Sequence, residues 1–441
     1  MHGGLRQINM ALRFGENNEV LAEQEYRAIL VGIQLAEDIS DSMDELSGLA
    51  EAAGVCVLGE LIQNKEKPDR ATLIGTGKVD ELAELCRNMG ADTVIFNDEL
   101  TGIQLRNLEE RLDVLVLDRT ILILDIFARR AASREGKLQV ELAQLQYRLP
   151  RLSGLGRSLS RQGGGIGARG PGEKKLETDR RHIARRMDEI KRELQEVKEN
   201  RSVQRTKRER SELPVAALAG YTNSGKSAIM NRMLSLSDRE DKSVFEENML
   251  FATLDTAQRL IRLETNQEFI LIDTVGFVSK LPHALIDAFK ATLEEVNYAD
   301  LVLHVVDVSQ EGWEFRMDVT ERVLKEIGAG DKKIEYVYNK TDLLPDREAV
   351  VCSRPGIEIS AKTGENFDGL VQKIRENLFS DRQLTKLLIP YNQGTVSSYL
   401  CGKIKPQKME YRENGTYFEV MLSAADRGRF AEFLLEQTDE Q

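Results

Sequence analysis

The apolar positions of the chain fall into short runs separated by helical stripes. Ala28-Ile-Leu-Val-Gly-Ile33, Val55-Cys-Val-Leu58, Thr93-Val-Ile-Phe96 and Val114-Leu-Val-Leu117 predict strands, and Ser42–Ala53 and Val79–Met89 predict helices between them. That alternation predicts a largely parallel α/β domain over 27–130, after a polar N-terminal extension, 1–26. Leu138, Leu142, Leu145 and Leu149 then recur at helical spacing, with Pro150 expected to end the helix. Ile183, Met187, Ile190, Leu194 and Val197 repeat the pattern, so the two stripes predict an antiparallel helical hairpin over 131–212, joined by a loop over 153–175. Further apolar runs, Val215–Ala219, Phe269–Asp273 and Ile334–Tyr338, with a helix over Asn366–Leu378, predict a second α/β domain over 213–382. The strand Tyr417–Leu422 and a final helix, Ala425–Leu435, predict a small α/β domain over 383–441.

Composition narrows the class. Hydrophobic residues make up 41% of the 441 positions, as in a folded globular protein. No apolar stretch reaches the roughly 18 residues of a membrane span. The start, Met1-His-Gly-Gly-Leu-Arg, lacks a secretory core, and Cys56, Cys86, Cys352 and Cys401 show no paired spacing, so a cytoplasmic protein with reduced thiols is expected. The four histidines form no ligand cluster, and no zinc, haem or dinucleotide fingerprint occurs. Nothing in the chain calls for more than a monomer.

Charge changes the picture more. The net charge is −12, yet residues 151–210 hold eighteen Lys or Arg against nine Asp or Glu, which leaves −21 on the rest. Within this basic segment Gly154, Gly156, Gly163, Gly164, Gly165, Gly167, Gly170 and Gly172 are interspersed with Arg157, Arg161 and Arg169, and Lys174 and Lys175 follow. A flexible linker is the plain reading. At the tip of a helical hairpin, however, glycine permits close backbone approach and arginine pairs with phosphates and stacks on bases. These residues are therefore candidate RNA contacts.

The candidate chemistry lies in five motifs. Gly220, Tyr221, Thr222, Asn223, Ser224, Gly225, Lys226 and Ser227 form a P-loop between a strand and a helix predicted to begin near Ala228. Its amides cradle phosphates, Lys226 reaches the β- and γ-phosphates, and Ser227 holds Mg²⁺. Phe251, Ala252, Thr253, Leu254 and Asp255 stand where a loop could close on Mg²⁺ through Thr253. Asp273, Thr274, Val275 and Gly276 end a strand, so the Asp273 carboxylate is a Mg²⁺ ligand and the Gly276 amide faces the γ-phosphate. Asn339, Lys340 and Asp342 form the base loop. Asp342 can accept from N1–H and the 2-amino group of guanine, which adenine does not offer, while Asn339 ties loops together. Ser360, Ala361 and Lys362 support the base from the other side. Lys226, Thr253 and Gly276 are the candidate catalytic residues. Ile74-Gly-Thr-Gly-Lys78 imitates a P-loop, but Thr72 and Val79 replace its glycine and hydroxyl, so it predicts only a tight turn before a helix.

Two positions refine this reading. Phe277 follows Gly276, where a water-orienting glutamine stands in Ras-like enzymes, so hydrolysis is expected to be slow or partner-dependent; Phe277 also has a packing role open to it. Asn223 is either a turn residue or, as in several GTPases resembling this one, a ligand of K⁺, a candidate monovalent activator.

The chain resembles the HflX family within the Obg–HflX-like group of P-loop GTPases. The likeness is strongest in Leu138–Leu145, Leu159–Glu173, Leu176–Arg181 and Asp273–Phe277. It implies an N-terminal α/β domain, an antiparallel helical hairpin, a Ras-like P-loop GTPase domain and a small α/β C-terminal domain. It implies GTP-dependent binding to the large ribosomal subunit and its rRNA, splitting of stalled or idle ribosomes, and hydrolysis stimulated by the ribosome. Thr256-Ala-Gln-Arg259 departs from the family's Pro-Thr-Thr-Arg, and Gly154-Leu-Gly156 lacks the usual aromatic of the hairpin loop. A second reading stays open: a GTP-gated subunit anti-association or assembly factor in which hydrolysis serves only release.

Overall fold

The computed structural model describes residues 26–159, 171–209, 213–237, 257–263, 267–280, 294–344 and 354–435. The N-terminal unit runs β1 (Tyr26–Gln34), α1 (Ser40–Ala52), β2 (Val55–Asn64), α2 (Thr76–Met89), β3 (Thr93–Phe96), α3 (Gly102–Leu112), β4 (Leu115–Asp118) and α4 (Arg119–Arg130). Its sheet is wholly parallel, in the order β2-β1-β3-β4, with Ala28 opposite Thr93. Ala28, Ile29, Leu30 and Val31 of central β1 are fully buried, as a strand covered on both faces requires. Sequence periodicity did not single out α3 and α4. A capping box of Thr101 and Gln104 opens α3, and the Asp118 carboxylate caps α4 by accepting from the Ile121 amide at 3.0 Å. The P-loop-like stretch near Gly75 is a turn entering α2.

α5 (Arg134–Leu159) and α6 (Pro171–Glu209) form the hairpin. Leu138, Leu142 and Ile190 are its buried seam, flanked by Leu145, Met187 and Leu194. The Arg186 guanidinium grips both Glu141 oxygens across it, at 2.7 and 2.9 Å. Two expectations are corrected here. The helix does not stop at Pro150 but continues to Leu159. The turn after the proline is anchored within and from outside the helix: Arg151 donates to the Tyr147 carbonyl of α5 at 2.9 Å and, outside it, to the Leu100 carbonyl at 2.7 Å, and pairs with Glu99 at 2.9 Å. Those contacts offset the intrahelical bond that proline removes. The inter-helix stretch is consequently shorter than 153–175: Arg157 lies within α5, and Lys174 and Lys175 lie within α6, which opens on Pro171, a favourable first helical residue. Arg161 and Arg169 lie outside the described residues. The hairpin joins the N-terminal unit through the fully buried Asp118, which accepts from the Tyr147 hydroxyl at 2.5 Å and the Leu100 amide at 3.0 Å.

The third unit contains β5 (Val215–Gly220), α7 (Lys226–Leu236), β6 (Ala257–Arg262), β7 (Glu268–Asp273), β8 (Leu301–Asp307), α8 (Trp313–Glu326), β9 (Ile334–Asn339), β10 (Gly356–Glu358) and α9 (Phe367–Leu378). Its sheet order is β10-β9-β8-β5-β7-β6, parallel except for β6. The carboxyl ends of β5, β7, β9 and β10 therefore converge on one edge, the ligand edge of such folds. One hydrophobic cluster is shared with the N-terminal unit and includes Met43, Leu46 and Phe127 on one side and Val275, Phe277 and Val278 on the other.

The last unit is an antiparallel sheet of β11 (Gln383–Ile389), β12 (Lys408–Arg412) and β13 (Gly415–Leu422), with α10 (Gly394–Tyr399) between β11 and β12 and α11 (Ala424–Arg429) at the end. The expected helix to Leu435 is thus cut short at Arg429. Phe430 turns into the core, and Leu434 bridges to Leu387. Lys405 and Arg262 both pair with Glu268, at 2.5 and 2.6 Å, tying this unit to β7. Among the described residues no helix is long and apolar enough to cross a membrane.

Candidate nucleotide site

The small buried residues Ala216, Ala217 and Ala219 let β5 lie close to its neighbours, and its last residue opens the P-loop. Gly225 has φ +95°, and a Cβ there would collide with the Asn339 amide. Asn223 is also left-handed, φ +58°, a conformation asparagine tolerates, so its turn role is accounted for. α7 begins at Lys226 rather than near Ala228, so Ser227 sits in its first turn.

Lys226 is 6% exposed and donates to the Gly220 and Tyr221 carbonyls at 3.1 and 2.7 Å. Burial lowers its pKa to about 8, against the pull of Asp273 and with help from Lys340. The Ser227 hydroxyl donates to Asp273 Oδ2 at 2.9 Å, which brings together two of the three predicted metal ligands; the third, Thr253, lies outside the described residues. Thr274 fixes the end of β7 by donating to the Leu218 carbonyl at 2.6 Å. Beyond Val275, the Phe277 amide donates to Gly220 at 3.2 Å and the Thr222 amide donates to Phe277 at 2.7 Å. A Cβ on Gly276 would stand 2.6 Å from Thr222 Cα, so the close approach of these loops requires glycine.

Asn339 links three loops. Its amide donates to the Ser224 carbonyl at 2.8 Å, and its carbonyl accepts from the Ala361 amide at 2.9 Å. Ser360 Oγ donates to Asp342 Oδ1 at 2.7 Å and accepts from the Thr363 amide at 3.1 Å. Lys340 is held by Asp307 at 2.7 Å. Lys362 follows, its carbonyl facing the Arg232 guanidinium at 3.5 Å. Phe251, Ala252, Thr253, Leu254 and Asp255 lie outside the described residues. Among the residues it does describe, the structure therefore gathers all four predicted loops at one sheet edge.

Sequence reasoning missed Asp307, although its signal was present: it ends an apolar run, Leu301–Val306, as Asp273 ends another. Glu45, Arg119 and Ser279, which meet beside Tyr221, gave no such signal; a glutamate on a helix reads as a solvated face.

Three family models match in succession: "GTP-binding GTPase N-terminal" at 40–128, "GTP-binding GTPase Middle Region" at 130–208 and "50S ribosome-binding GTPase" at 215–340. The GTPase HflX of Caldanaerobacter subterraneus subsp. tengcongensis is 45% identical over 422 residues, 96% of this chain and 96% of that protein. The chain belongs to the HflX GTPase family. The GTPase HflX of Lacrimispora saccharolytica is 44% identical over 90% of this chain and 93% of its own length, and that of Escherichia coli K12 is 39% identical over 87% and 91%.

As a GTPase of the HflX type, the protein binds GTP and hydrolyses it to GDP and phosphate. A serine hydroxyl and one carboxylate are the hard oxygen donors that Mg²⁺ takes beside substrate phosphates, so Ser227 and Asp273 fit that ion. Bound there, Mg²⁺ would neutralise charge on the phosphate oxygens. The chain's own contribution would be positional: Lys226 would offer a cation and the P-loop its amides, while Asn339 ties the P-loop to the Ser360–Lys362 loop.

Proposed function

We propose that this GTPase binds the large ribosomal subunit in its GTP state and splits stalled or idle ribosomes, with hydrolysis stimulated by the ribosome. The observation that carries the reading is the segregation of positive charge onto the hairpin of an otherwise acidic chain. Non-specific attraction of the whole protein to RNA would be opposed by its net charge, so contact is directed to that element. The description of the matching GTPase model, "50S ribosome-binding GTPase", supports the same partner. Arg157, Arg161, Arg169, Lys174 and Lys175 supply rRNA contacts, Thr253 closes on Mg²⁺ with GTP bound, and Asp342 reads guanine. Asn223 adds a K⁺ ligand, and the protein works in the cytoplasm as a monomer.

Co-sedimentation with purified large subunits tests this. Binding is expected with a non-hydrolysable GTP analogue, weaker with GDP, and steeply weakened by salt. Salt-independent binding, or none in either nucleotide state, would refute it. The burial of Phe277, at 1% exposure, favours keeping the second reading, an anti-association or assembly factor. Full splitting supported by the non-hydrolysable analogue would assign hydrolysis to release.

A further inference from the structure

The carboxyl end of β8 carries a carboxylate that belongs to none of the five nucleotide motifs. Asp307 closes the strand and stands abreast of Asn339 in the β8–β9 register. Both of its oxygens are engaged. Oδ1 accepts from the Ser309 amide at 3.0 Å and from the Ser309 hydroxyl at 2.6 Å, which shapes the turn leaving the strand. Oδ2 pairs with the Lys340 ammonium at 2.7 Å. The backbone adds a second link between the same two segments, since the Val308 amide donates to the Asn339 carbonyl at 3.2 Å.

Lys340 stands in a conformation that needs holding. Its φ is +67°, a left-handed value that lysine rarely adopts and that persists only where the surroundings impose it. On its far side the Thr341 amide donates to the Ile359 carbonyl at 3.3 Å, and the Leu343 amide donates to the Lys340 carbonyl at 3.1 Å. The Lys340 and Asp307 side chains are 21% and 10% exposed, and a partly exposed pair of this kind adds little to stability. Its effect is on order. A free lysine loses rotamer freedom when it packs on a ligand, whereas one already fixed by a carboxylate has lost it beforehand. With the ammonium tied back to β8, what the loop offers a ligand between Asn339 and Asp342 is an apolar stem rather than a mobile charge.

We propose that Asp307 is a positioning residue for nucleotide binding: by holding the Lys340 ammonium it lays the Lys340 stem along the face of the guanine ring, while Asp342 reads the ring's edge. The proposal rests on the assignment of Asn339–Asp342 as the base loop. The test measures GDP Kd on the full chain for Asp307→Asn, Lys340→Met and the double variant. Asp307→Asn keeps the side chain's shape and an acceptor for Ser309, and removes the charge that holds Lys340. It is expected to raise Kd about fivefold in the parent protein and less than about twofold in the Lys340→Met background, where no ammonium remains to be held. A purely structural role at the β8 turn would weaken binding equally in both backgrounds. Equal effects in the two, or none in the parent, overturn the proposal. Where Asp307→Asn does not fold, Lys340→Arg against Lys340→Met decides: the arginine keeps a cation for Asp307 and should bind GDP about fivefold more tightly than the methionine, and equal affinities overturn the proposal. Asp342→Asn, competed with xanthine nucleotides in the same assay, checks the base loop separately. A shift toward xanthine with Asp307→Asn silent defeats the role of Asp307 alone, and no shift defeats the base loop and this role together.

Discussion

Replacing Asn339 by alanine should loosen the whole nucleotide site at once. Asn339 is 2% exposed, and its side chain bonds both the P-loop and the Ser360–Lys362 loop. Asn339→Ala leaves the Ser224 carbonyl and the Ala361 amide without this partner. Each buried group left unsatisfied costs about 1–3 kcal/mol, so the loss should be about 2–4 kcal/mol once partial rehydration at the loop edge is allowed for. For a domain of this size that corresponds to a fall in Tm of about 4–16 °C. Asn339→Asp separates the two bonds, because it keeps the acceptor for Ala361 and loses the donor to Ser224. The assay is thermal unfolding without nucleotide, with GDP affinity measured alongside. Both variants should be destabilised, the alanine more, and both should bind GDP more weakly. A Tm for Asn339→Ala within 1–2 °C of the parent's would refute the account of Asn339 as the tie between loops.

Further outcomes follow from the same geometry. Lys226→Ala should abolish tight GTP binding, and retained micromolar affinity would sink the P-loop assignment. Asp342→Asn should shift preference from guanine toward xanthine nucleotides in competition binding, because an amide donates where the carboxylate accepts. Lys226, buried and held near pKa 8 without nucleotide, gains phosphate partners on binding that favour its charged form; GDP affinity should be flat below pH 8 and fall above it. The same depressed pKa means that the nucleotide-free fold binds fewer protons than the unfolded chain above pH 8, so this group's penalty on stability is relieved as pH rises toward 10.5. Ile190→Ala should cost about 2–5 kcal/mol of local stability by emptying the hairpin seam, read as faster amide exchange confined to α5 and α6.

The motifs were legible because phosphate and base recognition leave little choice of residue: Gly225 must be glycine where Asn339 presses on it, and Gly276 where Thr222 does. The strands of the parallel sheets were legible for a related reason, since burial on both faces makes continuous apolar runs such as Ala28–Val31. Helix α4 hid behind such a run: Ile121-Leu-Ile-Leu124 reads as strand-like, and only the cap from Asp118 shows its start. The passage of α5 through Pro150 was illegible because tertiary contacts of Arg151 with Leu100 and Glu99 override a local rule. The meeting of Glu45 and Arg119 with Tyr221 depends on how two units dock, which no periodicity records.

The central claim is best tested by the rate of GTP hydrolysis measured with and without purified large ribosomal subunits at low salt. The account predicts a large stimulation, because Phe277 leaves water positioning incomplete until docking supplies it. A rate unchanged by the subunit would contradict the ribosome as activating partner.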